Sequence, residues 1–495
     1  MNIKQAKEEI KHTVMAYLAK DAQGEYRIPA IRQRPILLMG PPGIGKTQIM
    51  EQIAAECKIG LVAYTITHHT RQSAVGLPMI KEESFEGKTY SVTEYTMSEI
   101  IASIYRKMKK TGQKEGILFI DEINCVSETL APTMLQFLQC KTFGNQAIPE
   151  GWLIVAAGNP PEYNKSVRDF DMVTLDRVRY LNIEADYKVW KEYAREKHLH
   201  NAILSYLELR QKNFYRVEAD VDGIRFVTAR GWEDLSNLMQ VYEEMDLPVD
   251  EGVIREFIHH EDVAEDAAAY FELYRKYRDD YGITDILAGR IRPETFARIY
   301  AASFDERLSV VNLLLDGLSA FFVKVQEKKK ITDNWYEFLK EYQRHLKEGE
   351  APADCYQALL EEKMAMVEAE KQAELCTKAQ AAGWEQIFAF WKENMPDKGL
   401  DAKESFAQAK TGFDIQRETL EESEQDASDA LEHAFDFMEQ AFEDGEEMVV
   451  FVTELTLSPE AAMFLAEHTC DRYMTYNEQL LIGKRKRELL SELKR

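Results

Sequence analysis

The sequence predicts an α/β domain with a parallel sheet flanked by helices, followed by two largely helical regions. Three observations indicate this fold class. A glycine-rich motif near residue 40 joins an apolar strand to a helix. Between residues 31 and 184, near-continuous apolar runs alternate with helix patterns, which is typical of parallel strands buried on both faces. From residue 185 onward, almost every segment has the periodicity of a helix.

Residues 1–30 are expected to form an N-terminal helix and part of a linker that leads into the first strand. The helix pattern covers residues 1–20 and has no apolar signal core. The segment Tyr26–Pro29 in the linker has two interpretations. It lies either near the adenine of a nucleotide or in a plain surface turn, and the sequence leaves both open.

The glycine-rich motif is GPPGIGKT, which occupies residues 40–47 and fits the phosphate-binding pattern Gly-x4-Gly-Lys-[Ser/Thr]. The apolar run Ile36–Met39 predicts a strand directly before it. The segment Thr47–Cys57 repeats apolar residues at helix spacing and predicts a helix directly after it. A chance glycine-rich turn would need neither a strand before it nor a helix after it, so the order strand, loop, helix favours a nucleotide site.

The residue types in this motif suit a polyphosphate. Gly43 and Gly45 have no Cβ, so the backbone can wrap closely around phosphates at the positive end of the helix. Lys46 supplies a charge for the β- and γ-phosphates, and Thr47 supplies a hydroxyl for Mg²⁺. The residues expected to contact the nucleotide are Gly40, Pro41, Pro42, Gly43, Ile44, Gly45, Lys46, Thr47 and Gln48.

An α/β domain is predicted over residues 31–184. Its five strands are expected within residues 35–40, 60–67, 116–122, 152–159 and 178–184. In doubly wound sheets of this kind the ligand lies at the carboxyl ends of the strands. Asp121 and Glu122 end the third of these runs. The first acid can hold Mg²⁺ and the second can polarise an attacking water, whereas the alternative is a solvated strand end.

Two later strand ends carry further candidates. Asn159 ends WLIVAAGN, where a polar amide beside the γ-phosphate can orient the water; Gly-Asn is also an ordinary turn. The segment LDRVRY contains Arg177 and Arg179. An arginine inserted into the site of a neighbouring subunit would stabilise transition-state charge. The alternative for these arginines is a surface ion pair with Asp176.

The motifs GPPGIGKT, ILFIDEIN, AAGNPPEYN, LDRVRY and TARGWEDLS occur in this order and resemble the MoxR family of AAA+ ATPases. The resemblance implies a P-loop AAA+ domain with a helical lid, assembled into a hexameric ring that hydrolyses ATP with Mg²⁺. By position, it implies Thr47 and Asp121 as metal ligands, Glu122 as the water-activating base and Asn159 as the first sensor. It also implies Arg177 as an arginine finger and Arg230 as the second sensor on the lid. The sequence departs from the commoner LDRF by having LDRVRY, so Arg179 competes with Arg177.

Two inserts also fit the resemblance. Residues 75–92 predict a hairpin that turns near Gly87, and residues 141–149 predict a second hairpin that turns at Gly144 and Asn145. Each is either a plain surface loop or, by the order of elements in this family, a loop that faces the pore of the ring.

The lid and its extension are expected over residues 185–345, helical throughout, with the run Leu308–Leu315 as a buried helix. Residues 347–354 form a turn-rich break. The C-terminal helical region, residues 346–495, lies outside the resemblance. Its stretch 414–447 holds fourteen acidic residues and one basic residue, which form either a solvated helix face or a docking surface for a basic partner. The basic end of the chain either pairs with this stretch or is a solvated tail.

Bulk composition limits the class of partner. The formal net charge of −25 repels phosphate backbones, which argues against broad nucleic-acid binding. The six cysteines contain no Cys-x-x-Cys pair and suit reduced thiols. No window approaches the roughly 20 apolar residues needed to span a bilayer. We therefore expect a cytoplasmic protein without membrane contact.

The leading hypothesis is an ATP-hydrolysing chaperone or remodelling ATPase that acts on a protein partner. The resemblance implies a von Willebrand factor A domain protein as one candidate partner. Two alternatives remain. One is a P-loop nucleic-acid motor or GTP-dependent restriction subunit, which the acidic charge disfavours. The other is a scaffold that binds nucleotide without turnover, which the presence of every catalytic position disfavours.

Overall fold

A computed structural model describes the chain except for residues 69–71, 73, 75, 144, 145, 164–166, 168, 169, 220–222, 373–375, 377 and 493–495. The chain divides into two compact units. The first comprises Met1–Val189, Thr228–Arg230 and Met366–Ala381. The second comprises Trp190–Val227, Gly231–Ala365 and Ala382–Arg495.

The first unit is built on a five-stranded parallel sheet. Its strands are β1 (Ile36–Met39), β2 (Gly60–Thr65), β5 (Gly116–Asp121), β8 (Trp152–Gly158) and β9 (Arg179–Asn182). They lie in the order β2-β5-β8-β1-β9, so β1 sits between β8 and β9. All residues of β1 and β8 are buried, as their continuous apolar sequences predict. The five predicted strands and the fold class are confirmed.

Helices cover this sheet because each has an apolar face. They are α1 (Ile3–Leu18), α2 (Lys46–Cys57), α3 (Glu99–Thr111) and α4 (Ala131–Cys140); the one-turn α5 (Met172–Leu175) instead exposes its apolar side chains. α1 packs on α2, where Lys7 and Lys11 both pair with Glu56. The Tyr26 hydroxyl donates to Glu115, which precedes β5 at the amino edge of the sheet. The Tyr26 side chain therefore lies at the edge opposite the carboxyl ends, which disfavours the adenine interpretation.

Both predicted hairpins are present. β3 (Pro78–Phe85) and β4 (Lys88–Tyr95) are antiparallel and turn through Glu86 and Gly87. Their large apolar side chains are exposed, including Ile80 at 81% and Phe85 at 51%. β6 (Thr142–Phe143) and β7 (Gln146–Ala147) form the second, shorter hairpin. The turn predicted at Gly144 and Asn145 lies outside the described residues.

The region expected to be helical throughout contains a hairpin. α6 (Tyr187–Glu196) and α7 (Asn201–Leu209) are followed by the antiparallel strands β10 (Arg216–Ala219) and β11 (Ile224–Val227). The prediction of helix was wrong here. Ile224, Arg225 and Phe226 alternate between apolar and polar residues directly after Gly223, which is a pattern typical of a hairpin. The next helices are α8 (Ala229–Glu244), α9 (Glu251–Arg255), α10 (Glu261–Tyr281), α11 (Ile283–Leu287) and α12 (Pro293–Ala301).

The second unit is organised around α13 (Phe304–Lys347), a helix of 44 residues. Leu308, Val311 and Leu314 are buried along it, so the buried helix predicted at Leu308–Leu315 is confirmed. Among the described residues, α13 is the one single helix long and apolar enough to cross a membrane by length and composition. From the sequence we expected no segment of this length and apolar composition. Half of its most apolar window is buried inside the protein, however, as in a core helix.

The C-terminal region is helical: α14 (Pro352–Gln372), α15 (Lys378–Glu393), α16 (Ala402–Phe442), α17 (Glu446–Leu457), α18 (Pro459–Glu467) and α19 (Asp471–Glu492). α16 packs along α13 and buries an apolar stripe that includes Leu431, Phe435 and Met438. Arg472 of α19 pairs with Glu432 and Asp436. Arg472 therefore neutralises part of the acidic stretch, whereas the side chains of the basic end of the chain, residues 483–495, lie outside the described part of the structure.

Candidate functional site

The phosphate-binding motif forms the loop between β1 and α2. Gly43 and Gly45 have φ of 72° and 89°, in the left-handed region that favours glycine. Gly45 is also the residue from which α2 begins. The loop amides therefore meet the positive end of a helix, as anion binding requires.

Lys46 lies at the centre of the loop and is almost fully buried. Its ammonium donates to the carbonyl oxygens of Gly40 at 2.7 Å and Pro41 at 2.8 Å, and to Oδ1 of Asn159 at 2.8 Å. The pKa of Lys46 is lowered to about 8, chiefly by burial; the negative charge of Asp121 opposes the shift and the positive charge of Arg230 adds to it. A bound polyphosphate would favour the charged form.

Thr47 and Asp121 lie beside this lysine. The Thr47 hydroxyl donates to Oδ2 of Asp121 at 3.2 Å, which joins the start of α2 to the end of β5. Hydroxyl and carboxylate oxygens are the hard donors that Mg²⁺ prefers. The two predicted metal ligands therefore lie together and fit this cation.

Glu122 follows β5 with φ of 57°, an uncommon value for a residue with a side chain. Its backbone N–H donates to Oδ1 of Asp121 at 2.9 Å. Its carboxylate accepts a hydrogen bond from the hydroxyl of Thr67 at 3.0 Å, just after β2. Thr67 therefore holds the carboxylate that the sequence assigned to water activation.

Asn159 is held from two sides. Its side-chain oxygen accepts from Lys46, and its backbone carbonyl accepts from Nδ2 of the buried Asn124 at 2.7 Å. Asn124 belongs to the short 3-10 helix Ile123–Cys125 that follows Glu122. A Cβ on Gly158 would lie 2.5 Å from Oδ1 of Asn124, which explains the glycine there. Asn124 thus links the acidic strand end to the predicted sensor.

The two candidate finger arginines differ in environment. Arg179 is partly buried on β9 and pairs with Glu9 and Thr13 of α1 within the same chain. The Arg177 side chain is exposed and contacts Gln139. Next to Arg177, α5 exposes Met172 at 83% and Val173 at 52%.

Arg230 lies in the first turn of α8. Its backbone N–H donates to the carbonyl oxygen of Gly43 at 3.2 Å. Its charge contributes to the lowered pKa of Lys46. The first unit therefore brings Arg230 to the phosphate loop, about 190 residues later in the chain.

Five predicted residues meet at the carboxyl edge of the sheet, and they are Lys46, Thr47, Asp121, Glu122 and Asn159. Arg230 approaches the loop, whereas Arg177 and Arg179 contact other parts of the chain. We did not predict roles for Thr67 and Asn124. Asn124 could have been found from the sequence, because it ends the motif ILFIDEIN. No pattern around Thr67 indicates its contact with Glu122.

Residues 36–172 match the family model for the ATPase family associated with various cellular activities (AAA). The match covers the phosphate loop, the acids Asp121 and Glu122, and Asn159. It supports a nucleotide-hydrolysing AAA+ ATPase. No curated protein matches the chain significantly.

Proposed function

We propose that this chain is an ATP-hydrolysing AAA+ machine of the MoxR type that remodels or matures a protein partner. The observation that carries the proposal is the convergence of Lys46, Thr47, Asp121, Glu122 and Asn159 at one edge of the sheet. Phosphoryl transfer to water needs a lysine, a pair of metal ligands, a base and a polar sensor. The AAA match over residues 36–172 supports the same chemistry.

Each residue has a distinct task in the proposed reaction. The loop amides and Lys46 bind the β- and γ-phosphates. Thr47 and Asp121 hold Mg²⁺, which neutralises charge on the transferred phosphoryl group when bound. Glu122 accepts a proton from the attacking water, and for this its carboxylate leaves the Thr67 hydroxyl. Asn159 orients the water beside the γ-phosphate.

The site is completed by a second copy of the chain in this proposal. Arg177 is the finger, because it is exposed whereas Arg179 is already paired with Glu9 on α1. The exposed Met172 and Val173 beside it suit an interface between subunits. Arg230 contacts the loop through its backbone and serves as the second sensor. A hexameric ring follows from the family resemblance.

The client is a protein. The β3–β4 hairpin exposes apolar side chains such as Ile80 and Phe85, which supports a role in gripping a polypeptide. The MoxR resemblance supports a von Willebrand factor A domain protein as the partner. Nucleic acid remains disfavoured by the net charge of −25.

The first test is ATP turnover by the purified chain. Release of inorganic phosphate is measured for the wild type, Lys46→Met and Glu122→Gln, with nucleotide binding measured in parallel. We expect turnover in the wild type, weak binding by Lys46→Met, and binding without turnover by Glu122→Gln. A wild type as inactive as Glu122→Gln would instead support the nucleotide-dependent scaffold.

The second test identifies the client. The Glu122→Gln variant, loaded with ATP, is expected to retain a partner that the wild type releases after hydrolysis. Affinity capture is followed by mass spectrometry, with Lys46→Met as the matched control that binds ATP only weakly. Recovery of the same proteins with both variants would contradict nucleotide-dependent client binding.

A further inference from the structure

The turn between α13 and α14 places three potential metal ligands together, far in sequence from the nucleotide site. His345 lies in the last turn of α13, Glu350 in the connecting turn and Cys355 in the first turn of α14. Gly349 has φ of 92°, which allows the chain to reverse within these few residues. None of these three residues has a role in the proposed binding and hydrolysis of ATP.

The three side chains offer one nitrogen, one oxygen and one sulfur donor, all within 4.8 Å of one another. Nδ1 of His345 lies 2.9 Å from Oε1 of Glu350. Cys355 is buried at 4% exposure, His345 is partly buried and Glu350 is more exposed. The sulfur thus forms the floor of the cluster, and the carboxylate lies on its solvent side.

The helices that carry His345 and Cys355 are fixed by aromatic packing. The ring of Tyr356, next to Cys355, lies 4.9 Å from Phe338 and 5.2 Å from Tyr342, and all three side chains are buried. The Tyr342 hydroxyl donates to the carbonyl oxygen of Pro352 at 3.2 Å, which closes the turn. Ligands on rigid, packed helices are pre-organised, which favours metal binding.

We propose that His345, Glu350 and Cys355 bind a zinc ion that fixes the α13–α14 turn. A mixed set of nitrogen, oxygen and sulfur donors suits Zn²⁺ better than Mg²⁺ or Ca²⁺, which prefer oxygen alone. Zinc holds such ligands at roughly 2.0–2.3 Å in a tetrahedron, so Nδ1 of His345 and Oε1 of Glu350 move apart slightly from their present 2.9 Å as the ion enters between them. The fourth ligand is water.

Zinc binding changes where protons are held on His345 and Cys355. A guanidinium nitrogen of Arg344 lies 3.2 Å from Nε2 of His345, which assigns the imidazole proton to Nδ1. Binding through Nδ1 moves that proton to Nε2, and Arg344 turns toward Glu341, its ion-pair partner at 3.7 Å. The thiol of Cys355 loses its proton to solvent as the zinc–sulfur bond forms. One proton is therefore released for each zinc ion bound.

Cobalt substitution tests the site directly in the full-length protein. The chain is freed of metal with a chelator, dialysed and titrated with Co²⁺, and the thiolate-to-cobalt absorption band is recorded before competition with Zn²⁺. We expect one Co²⁺ per chain with a thiolate band, displaced by Zn²⁺. Cys355→Ser is expected to lose the band, and His345→Gln and Glu350→Gln to weaken binding at least about 10-fold.

The matched control is Cys125→Ser, because Cys125 follows the acidic residues of the nucleotide site and would be the rival source of a thiolate band. It is expected to keep full binding. A band lost in Cys125→Ser but kept in Cys355→Ser would overturn the proposal, as would the absence of any thiolate band in the wild type. Because Cys355 is buried, circular dichroism checks that Cys355→Ser folds. His345→Gln provides an independent variant at a more exposed position, and unchanged affinity there would also refute the site.

Discussion

The contact between Thr67 and Glu122 leads to a quantitative prediction about hydrolysis. If Glu122 must leave the Thr67 hydroxyl to activate water, this hydrogen bond is part of the barrier. Replacing Thr67 by valine keeps the shape of the side chain and removes the donor at 3.0 Å from the carboxylate. We therefore expect Thr67→Val to raise basal ATP turnover.

The size of the effect follows from the geometry. A hydrogen bond to a charged group contributes about 1.5–3 kcal/mol when well shielded. Both side chains here are accessible to solvent, so we take about 1 kcal/mol as the part that hydrolysis must overcome. Since 1.36 kcal/mol corresponds to a tenfold rate change, turnover is expected to rise about 5-fold.

The assay is steady-state phosphate release at saturating ATP, with KM determined for each variant. The matched control is Thr89→Val, a threonine on the exposed β3–β4 hairpin, for which we expect no change in kcat. The double variant Thr67→Val with Glu122→Gln should be as inactive as Glu122→Gln alone. A clear fall in kcat for Thr67→Val would refute the reasoning, because Thr67 would then position Glu122 for catalysis.

Three further predictions concern charge, the finger and the hairpin. Because the pKa of Lys46 is lowered to about 8, the folded protein binds fewer protons than the unfolded chain between about pH 8 and 10.5, and stability from this group rises with pH across that window. ATP favours the charged lysine, so we expect ATP affinity to fall above pH 8 and calorimetry at pH 8.5 to show proton uptake that Lys46→Met lacks. For the finger, subunits with Arg177→Ala should partly restore turnover when mixed with Lys46→Met subunits. Arg179→Ala should instead lower the thermal midpoint by breaking its bonds to α1, and loss of turnover in Arg179→Ala alone would show that the other arginine is the finger. Deleting residues 85–88 should leave ATP binding unchanged and weaken stimulation of turnover by the client; unchanged stimulation would argue against a role for the hairpin in client binding.

The sheet and its loop could be predicted because their signals are local. Buried parallel strands require continuous apolar runs, and the phosphate loop requires glycines at fixed spacing. The residues Asp121 and Asn159 could be placed at one edge because the carboxyl ends of parallel strands meet there. The sequence therefore predicted which side chains would converge.

The features that were missed depend on contacts between distant residues or on patterns we overlooked. Thr67 bonds to a carboxylate 55 residues away, and the connection between them has no motif. The hairpin β10–β11 was absorbed into a helical stretch because helix patterns surround it on both sides. The His345, Glu350 and Cys355 cluster has five-residue spacings across a turn, which match neither one face of a helix nor a familiar metal motif.

The length of α13 has a mechanical consequence. At 1.5 Å per residue, its 44 residues span roughly 66 Å. A tilt of about 10° at the Phe304 end would displace the Lys347 end by about 11 Å if the helix moves as a rod. Small rotations near one end of this helix would therefore produce displacements about as large as the width of a helix at the other end.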